Sequence, residues 1–99
     1  MDLKEAIKII SDKINEPDPH WGDKPEFVIL IESIIERDWG WVFFYNSSRF
    51  METGNISDAL AGNAPYIVNR STGEIQAAGT AHPIEYYINK YEQDLKQSE

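Results

Sequence analysis

The sequence predicts an α+β fold, with an N-terminal helix, a four-stranded antiparallel sheet and a C-terminal helix in the order α-β-β-β-β-α. Three observations carry that prediction. Apolar residues recur at three-four spacing near both ends, two β-branched and aromatic runs occupy the middle, and a Thr-Gly turn joins two further short runs. At 99 residues the chain suits one domain spanning 1–99, because domains typically run to roughly 100–150 residues and split only well beyond that.

Leu3, Ala6, Ile7, Ile10 and Ile14 form the apolar stripe of the first helix, with Lys4, Glu5, Lys8, Asp12 and Lys13 on the other positions. Pro17 lacks the N–H that a helix needs and disfavours helical angles in its predecessor, so the helix ends near Asn15 or Glu16. A polar, proline-rich connection follows to Pro25, containing His20 and Trp21. Phe27–Ile31 is short, β-branched and aromatic, which favours a strand. Glu32–Asp38 either continues that strand past a bulge or begins a connection. Gly40–Asn46 is the second strand, closed by the turn-forming Asn46-Ser47-Ser48. Between Phe50 and Pro65 the chain is an interrupted loop, in which Ser57–Ala61 can form one helical turn capped by Gly62. Tyr66–Asn69 and Glu74–Ala78 flank Arg70-Ser71-Thr72-Gly73, whose glycine can take positive φ, so these runs are expected to form an antiparallel hairpin. Ile84, Tyr87, Ile88, Tyr91 and Leu95 mark the last helix, starting at Pro83 with Thr80 or His82 as its cap.

Nine Lys+Arg against seventeen Asp+Glu give a formal charge of -8, which disfavours nucleic acid, a partner that demands a basic stripe. No apolar run approaches the roughly 18 residues of a membrane span, and the acidic, amphipathic start does not read as a secretory signal. A cytoplasmic protein is expected, without a membrane partner. With no cysteine there is no thiolate nucleophile and no Cys-based zinc site. Residues 17–38 hold six acids, Asp18, Asp23, Glu26, Glu32, Glu36 and Asp38, against Lys24 and Arg37, a net of -4 and half the total charge. Such a cluster either steers a basic partner or merely solvates a loop and a strand edge.

Strict alternation along the second strand would put Trp39, Trp41, Phe43 and Tyr45 on one side and Val42 and Phe44 on the other, so both sides are apolar. Two helices are not expected to cover both faces comfortably. Extra loop cover, a partner-binding aromatic surface or a homodimer would each complete the burial. Trp21 is expected to plug the core from the proline-rich loop.

Catalytic and cofactor patterns are absent from the sequence. His20 and His82 stand alone, sixty-two positions apart, without a metal motif. Ser47-Ser48 and Thr80-Ala81-His82 have no nucleophile elbow around them, and Gly73–Gly79 lacks the dinucleotide pattern. The residues therefore predict no enzyme, no metal and no cofactor; an unfamiliar active site would require a histidine beside carboxylates in a closed pocket.

Four strings occur in series: Asp38-Trp39-Gly40-Trp41-Val42-Phe43-Phe44-Tyr45, Leu60-Ala61-Gly62-Asn63-Ala64-Pro65, Arg70-Ser71-Thr72-Gly73-Glu74, and Gly79-Thr80-Ala81-His82-Pro83-Ile84-Glu85-Tyr86-Tyr87. Together they resemble the immunity protein 35 family, also called YrhB-like, from about residue 27 to 92 in the same order. Ala64 departs from the glycine usual there, which bears only on a backbone angle. The resemblance implies a small bacterial protein of polymorphic toxin systems that binds a cognate toxin and blocks it by stoichiometric occlusion. It also implies an alternative, a small chaperone-like protein that holds unfolded clients on an apolar surface. It carries over no catalytic residue. For the inhibitor, the expected partner-binding residues are Asp18, Asp23, Glu36 and Asp38 for steering, with Trp21, Trp39 and Trp41 as aromatic anchors.

Overall fold

The computed structural model of the chain describes residues 1–17, 19, 26–54 and 64–97. The first helix, α1 (Leu3–Ile14), is capped by the Asp2 carboxylate, which accepts from the Glu5 N–H at 2.8 Å and satisfies one of the free donors of the first turn. Its end is tied to the sheet rather than left to fray. The Asn15 side-chain amide donates to the Phe27 carbonyl at 3.0 Å and accepts from the Phe27 N–H at 2.8 Å, as a neighbouring strand would.

The strands are shorter and more numerous than the runs in the sequence suggest. β1 (Phe27–Ile29) is followed by a 3-10 turn (Ile31–Ser33), then β2 (Ile35–Arg37), β3 (Gly40–Phe43) and β4 (Tyr45–Ser47). Thus Glu32–Asp38 neither prolongs the first strand nor is merely a connection; it holds a separate strand. The aromatic run also divides. At Phe44 the chain leaves a four-stranded antiparallel sheet, ordered β2-β3-β5-β6, and β4 pairs instead with β1 in a two-stranded sheet. A helix not expected from the sequence, α2 (Ser48–Thr53), follows, capped by the Ser47 hydroxyl and ended by Gly54 at φ 66°. The Ser57–Ala61 turn expected nearby lies outside the described residues. β5 (Tyr66–Asn69) and β6 (Ile75–Ala77) form the expected hairpin, with Gly73 at φ 74°. Then α3 (Ile84–Gln97) completes the order. The class is α+β, as read from the sequence.

One helix covers each face of the four-stranded sheet, contrary to the expectation that two helices would not suffice. On one face Ala6, Ile10 and Ile14 of α1 meet Phe27, Trp41, Phe43 and Val68. On the other, Ile88 and Tyr91 of α3 meet Val42, Ile67 and Ala78. Strands of three or four residues make a sheet narrow enough for a single amphipathic helix to span. Every residue of β3 is buried, on both faces. Full burial of a side chain such as Ile10 or Phe43 stabilises by on the order of 1.5–3 kcal/mol, so the two small cores together replace a single large one. The apolar face for which a homodimer was one possible cover is already under α3.

Candidate functional site

The sequence-predicted residues that the structure describes meet at the turn between β2 and β3. Arg37 pairs with Gly40, leaving Asp38 and Trp39 as its two connecting residues. The turn is possible because residue 40 is glycine. Its φ is 155°, and a Cβ there would collide with the Val68 carbonyl oxygen of the neighbouring strand. The β5 backbone therefore runs directly beneath the turn, and the Arg70 N–H donates to the Trp39 carbonyl at 2.8 Å.

Trp39 and Trp41 do not share a side. The turn ends the strand alternation, so Trp41 enters the α1 core at 2% exposure while Trp39 packs against the α3 core. This corrects the expectation that both rings line one aromatic surface. Trp39 lies 4.6 Å from the Tyr91 ring and its indole N–H donates to Glu92 at 3.2 Å, linking the turn to α3. Trp41 is core and offers no ring to a partner; instead its indole N–H donates to Glu36 at 3.0 Å, holding that carboxylate in place.

Arg70 is the residue that sequence reasoning missed. Its guanidinium donates to the Arg37 carbonyl at 2.7 Å, lies 4.8 Å over the Trp41 ring and stands 3.6 Å from Glu36. The Glu36 carboxylate is thus held by Trp41 and paired with Arg70, although the pair is exposed enough to contribute little stability by itself. Two arginines, Arg37 and Arg70, accompany Glu36 and Asp38, so the tip is close to charge-balanced and the negative charge is not concentrated there. Asp38 is the exposed carboxylate of the turn. Asp18, Trp21 and Asp23 lie outside the described residues, as does His20. Nothing linear connects Arg70 to Glu36; only the β2–β3 and β3–β5 registers together do.

The second histidine sits elsewhere. His82 is exposed, stacks on Tyr86 at 4.2 Å, and borders a cleft of about 330 Å³ with Leu30, Phe44 and Thr80. No carboxylate lines that cleft among the described residues, so no acid-base pair is built around this imidazole. The backbone N–H groups of His82 and Ala81 both donate to the Tyr87 hydroxyl, at 3.2 and 3.1 Å. That phenol also fills the space a Cβ on residue 79 would need. The Gly-Thr-Ala-His-Pro string is therefore a loop fastened to the first turns of α3. Asn69 does similar work in the β5–β6 turn: its side-chain oxygen accepts from the Ser71 and Thr72 N–H groups at 2.9 and 3.1 Å. Among the described residues, no group of three His, Cys, Asp or Glu side chains is placed to hold a metal ion, and no helix is long and apolar enough to cross a membrane.

These fastened turns fall within three of the four strings that carry the family resemblance, the Leu60–Pro65 string lying mostly outside the described residues, and comparison with known proteins agrees with the resemblance. The family model described as Immunity protein 35 matches residues 4–94. The uncharacterized protein YrhB of Escherichia coli (strain K12) is 38% identical over 73 residues, covering 74% of this chain and 78% of that protein. No solved structure matches the chain.

Proposed function

Because the chain belongs to the immunity protein 35 family, we propose that it binds a cognate protein toxin in the cytoplasm and neutralises it by stoichiometric occlusion, without turnover. The observation that carries the choice of surface is the preorganised β2–β3 turn. Its backbone is held by β5, Glu36 is fixed by Trp41 and Arg70, and Trp39 is anchored on α3, which leaves Asp38 outward. A binder whose contact groups are already ordered loses little conformational entropy on association. In this reading Asp38, with Asp18 and Asp23, steers a basic toxin surface, and Trp21 and the uncovered edge of Trp39 supply aromatic contact. The net charge of -8 adds long-range attraction for such a partner.

A chaperone-like role has less in its favour. Both apolar faces of the four-stranded sheet are covered, and the large exposed apolar side chains among the described residues, Met1, Leu3, Ile31, Met51 and Tyr86, come from the chain start, the 3-10 turn, α2 and α3. Single exposed side chains do not make a client-holding surface.

The test is co-expression with a toxin encoded beside this protein. Wild type is expected to restore growth, and Asp38→Lys to bind the purified toxin at least about tenfold more weakly, mainly through a slower association rate. Asp38→Lys is the cleaner variant, since truncating Trp39 also removes the contacts to Tyr91 and Glu92. Absence of rescue refutes occlusion. Rescue with unchanged Asp38→Lys affinity refutes the placement on this turn.

A further inference from the structure

The two edges of the four-stranded sheet differ. On the β2 edge Glu36 and Arg37 are charged, and charged side chains are a usual guard against strand pairing. On the β6 edge Ile75, Gln76 and Ala77 carry neither charge nor proline, and among the described residues β6 pairs only with β5.

The ladder fixes which backbone groups are free. The Asn69 N–H donates to the Glu74 carbonyl at 3.0 Å and the Ala78 N–H to the Pro65 carbonyl at 2.8 Å, which makes these hydrogen-bonded positions. By alternation Gln76 bonds to Ile67, whereas Ile75 and Ala77 turn their N–H and C=O groups away from β5. Beside this edge lies a groove of about 200 Å³ between β6 and α3, lined by Ile67, Ala78, Tyr87, Tyr91, Lys90 and Asp94. We propose that the β6 edge and this groove form a docking site for an extended segment of a protein partner, which adds to the sheet as a fifth strand.

Geometry selects the occupant. Two outward donors and two outward acceptors in strand spacing are complementary to extended backbone, not to a helix. The added strand would bond to Ile75 and Ala77, and its residue opposite Gln76 would direct its side chain to the α3 face. That side chain enters the groove over Ile67 and Ala78, which suits a branched apolar residue. A second copy of this chain is a poorer occupant. Paired antiparallel through its own β6, it would offer only Gln76 and Ala78 to the groove, and each copy carries a charge of -8. If the immunity reading holds, the segment belongs to the toxin, but the site itself does not depend on that reading.

The probe is a displayed library of random peptides selected on the immobilised protein. Enriched peptides are expected to bind wild type and to lose at least about tenfold affinity for Ala77→Pro. That variant removes an outward N–H while sparing the β5 bonds, since proline is tolerated at an edge whose N–H faces solvent. Amide hydrogen exchange on wild type gives a readout independent of the variant's folding. Ile75 and Ala77 should exchange quickly in the free protein and become protected with peptide, while Gln76 is protected throughout. Peptides that bind Ala77→Pro equally, protection confined to other residues, failure to enrich any peptide, or self-association through β6 would each overturn the proposal. Toxin rescue that persists in Ala77→Pro, together with unchanged toxin affinity, removes the edge from inhibition and leaves the immunity reading standing; peptide docking without rescue does the reverse.

Discussion

Replacing Gly40 with alanine should be among the most damaging small changes in the molecule. The φ of 155° lies where side-chain-bearing residues are strained by about 1–3 kcal/mol. The added Cβ would also overlap the Val68 carbonyl oxygen and approach the Val68 carbonyl carbon to 2.9 Å and the Arg70 nitrogen to 3.1 Å. All three are backbone atoms, so no side chain can swing aside; β3 and β5 must separate locally. That separation weakens the backbone bonding of the Trp41–Val68 pair, whose carbonyl is the one struck, and the Arg70 N–H bond to Trp39, at about 0.5–1.5 kcal/mol each. Together the loss is about 2–6 kcal/mol, a large part of the 5–15 kcal/mol that holds a typical domain. Equilibrium urea unfolding followed by tryptophan fluorescence measures it directly. With a slope of about 1–3 kcal/mol per molar urea, the midpoint should fall by at least about 0.7 M at unchanged slope. A Gly40→Ala midpoint within about 0.3 M of wild type would refute the argument that close strand approach fixes this turn.

Two further outcomes follow from other contacts. Tyr87→Phe removes the acceptor of the Ala81 and His82 N–H bonds; because both donors are exposed and can turn to water, thermal unfolding should show a loss of only about 1–2 kcal/mol, and an unchanged melting temperature would remove the phenol from its fastening role. Tyr45 has its pKa pushed up to about 12, first by burial and then by the neighbouring Tyr66. The folded state therefore holds this proton where the unfolded chain, at the ordinary tyrosine value of 10.0, releases it. Stability should be intact below pH 10, fall as pH rises toward 12, and fall less steeply in Tyr45→Phe, as read by denaturant titrations at stepped pH; identical slopes for the two proteins would contradict this.

Elements with long periods were readable from the chain. The three-four stripe of Leu3–Ile14 and that of Ile84–Leu95 became α1 and α3, and the Thr-Gly turn became the β5–β6 hairpin. Strands of three residues were not, since they are too short to display a period of two: Gly40–Asn46 reads as one run, although its halves pair with different strands. Trp39 misled for a related reason, because alternation stops where a turn begins. The missed α2 did leave a signal, Ser47 three residues before Phe50 with a glycine just past the end. At the site, Glu36 and Asp38 were visible as acids, but Arg70, which pairs with Glu36, reaches it only through strand register. The open edge at β6 likewise depends on which of Ile75, Gln76 and Ala77 bonds inward.

Placing one helix on each side of a thin sheet has a consequence for folding. Along the chain α3 follows every described strand, so a sheet assembled before α3 docks has its α1 side dry and Val42, Ile67 and Ala78 still wet. During that interval the unfinished protein is itself sticky, and the Trp39 clasp on Tyr91 cannot form until α3 arrives.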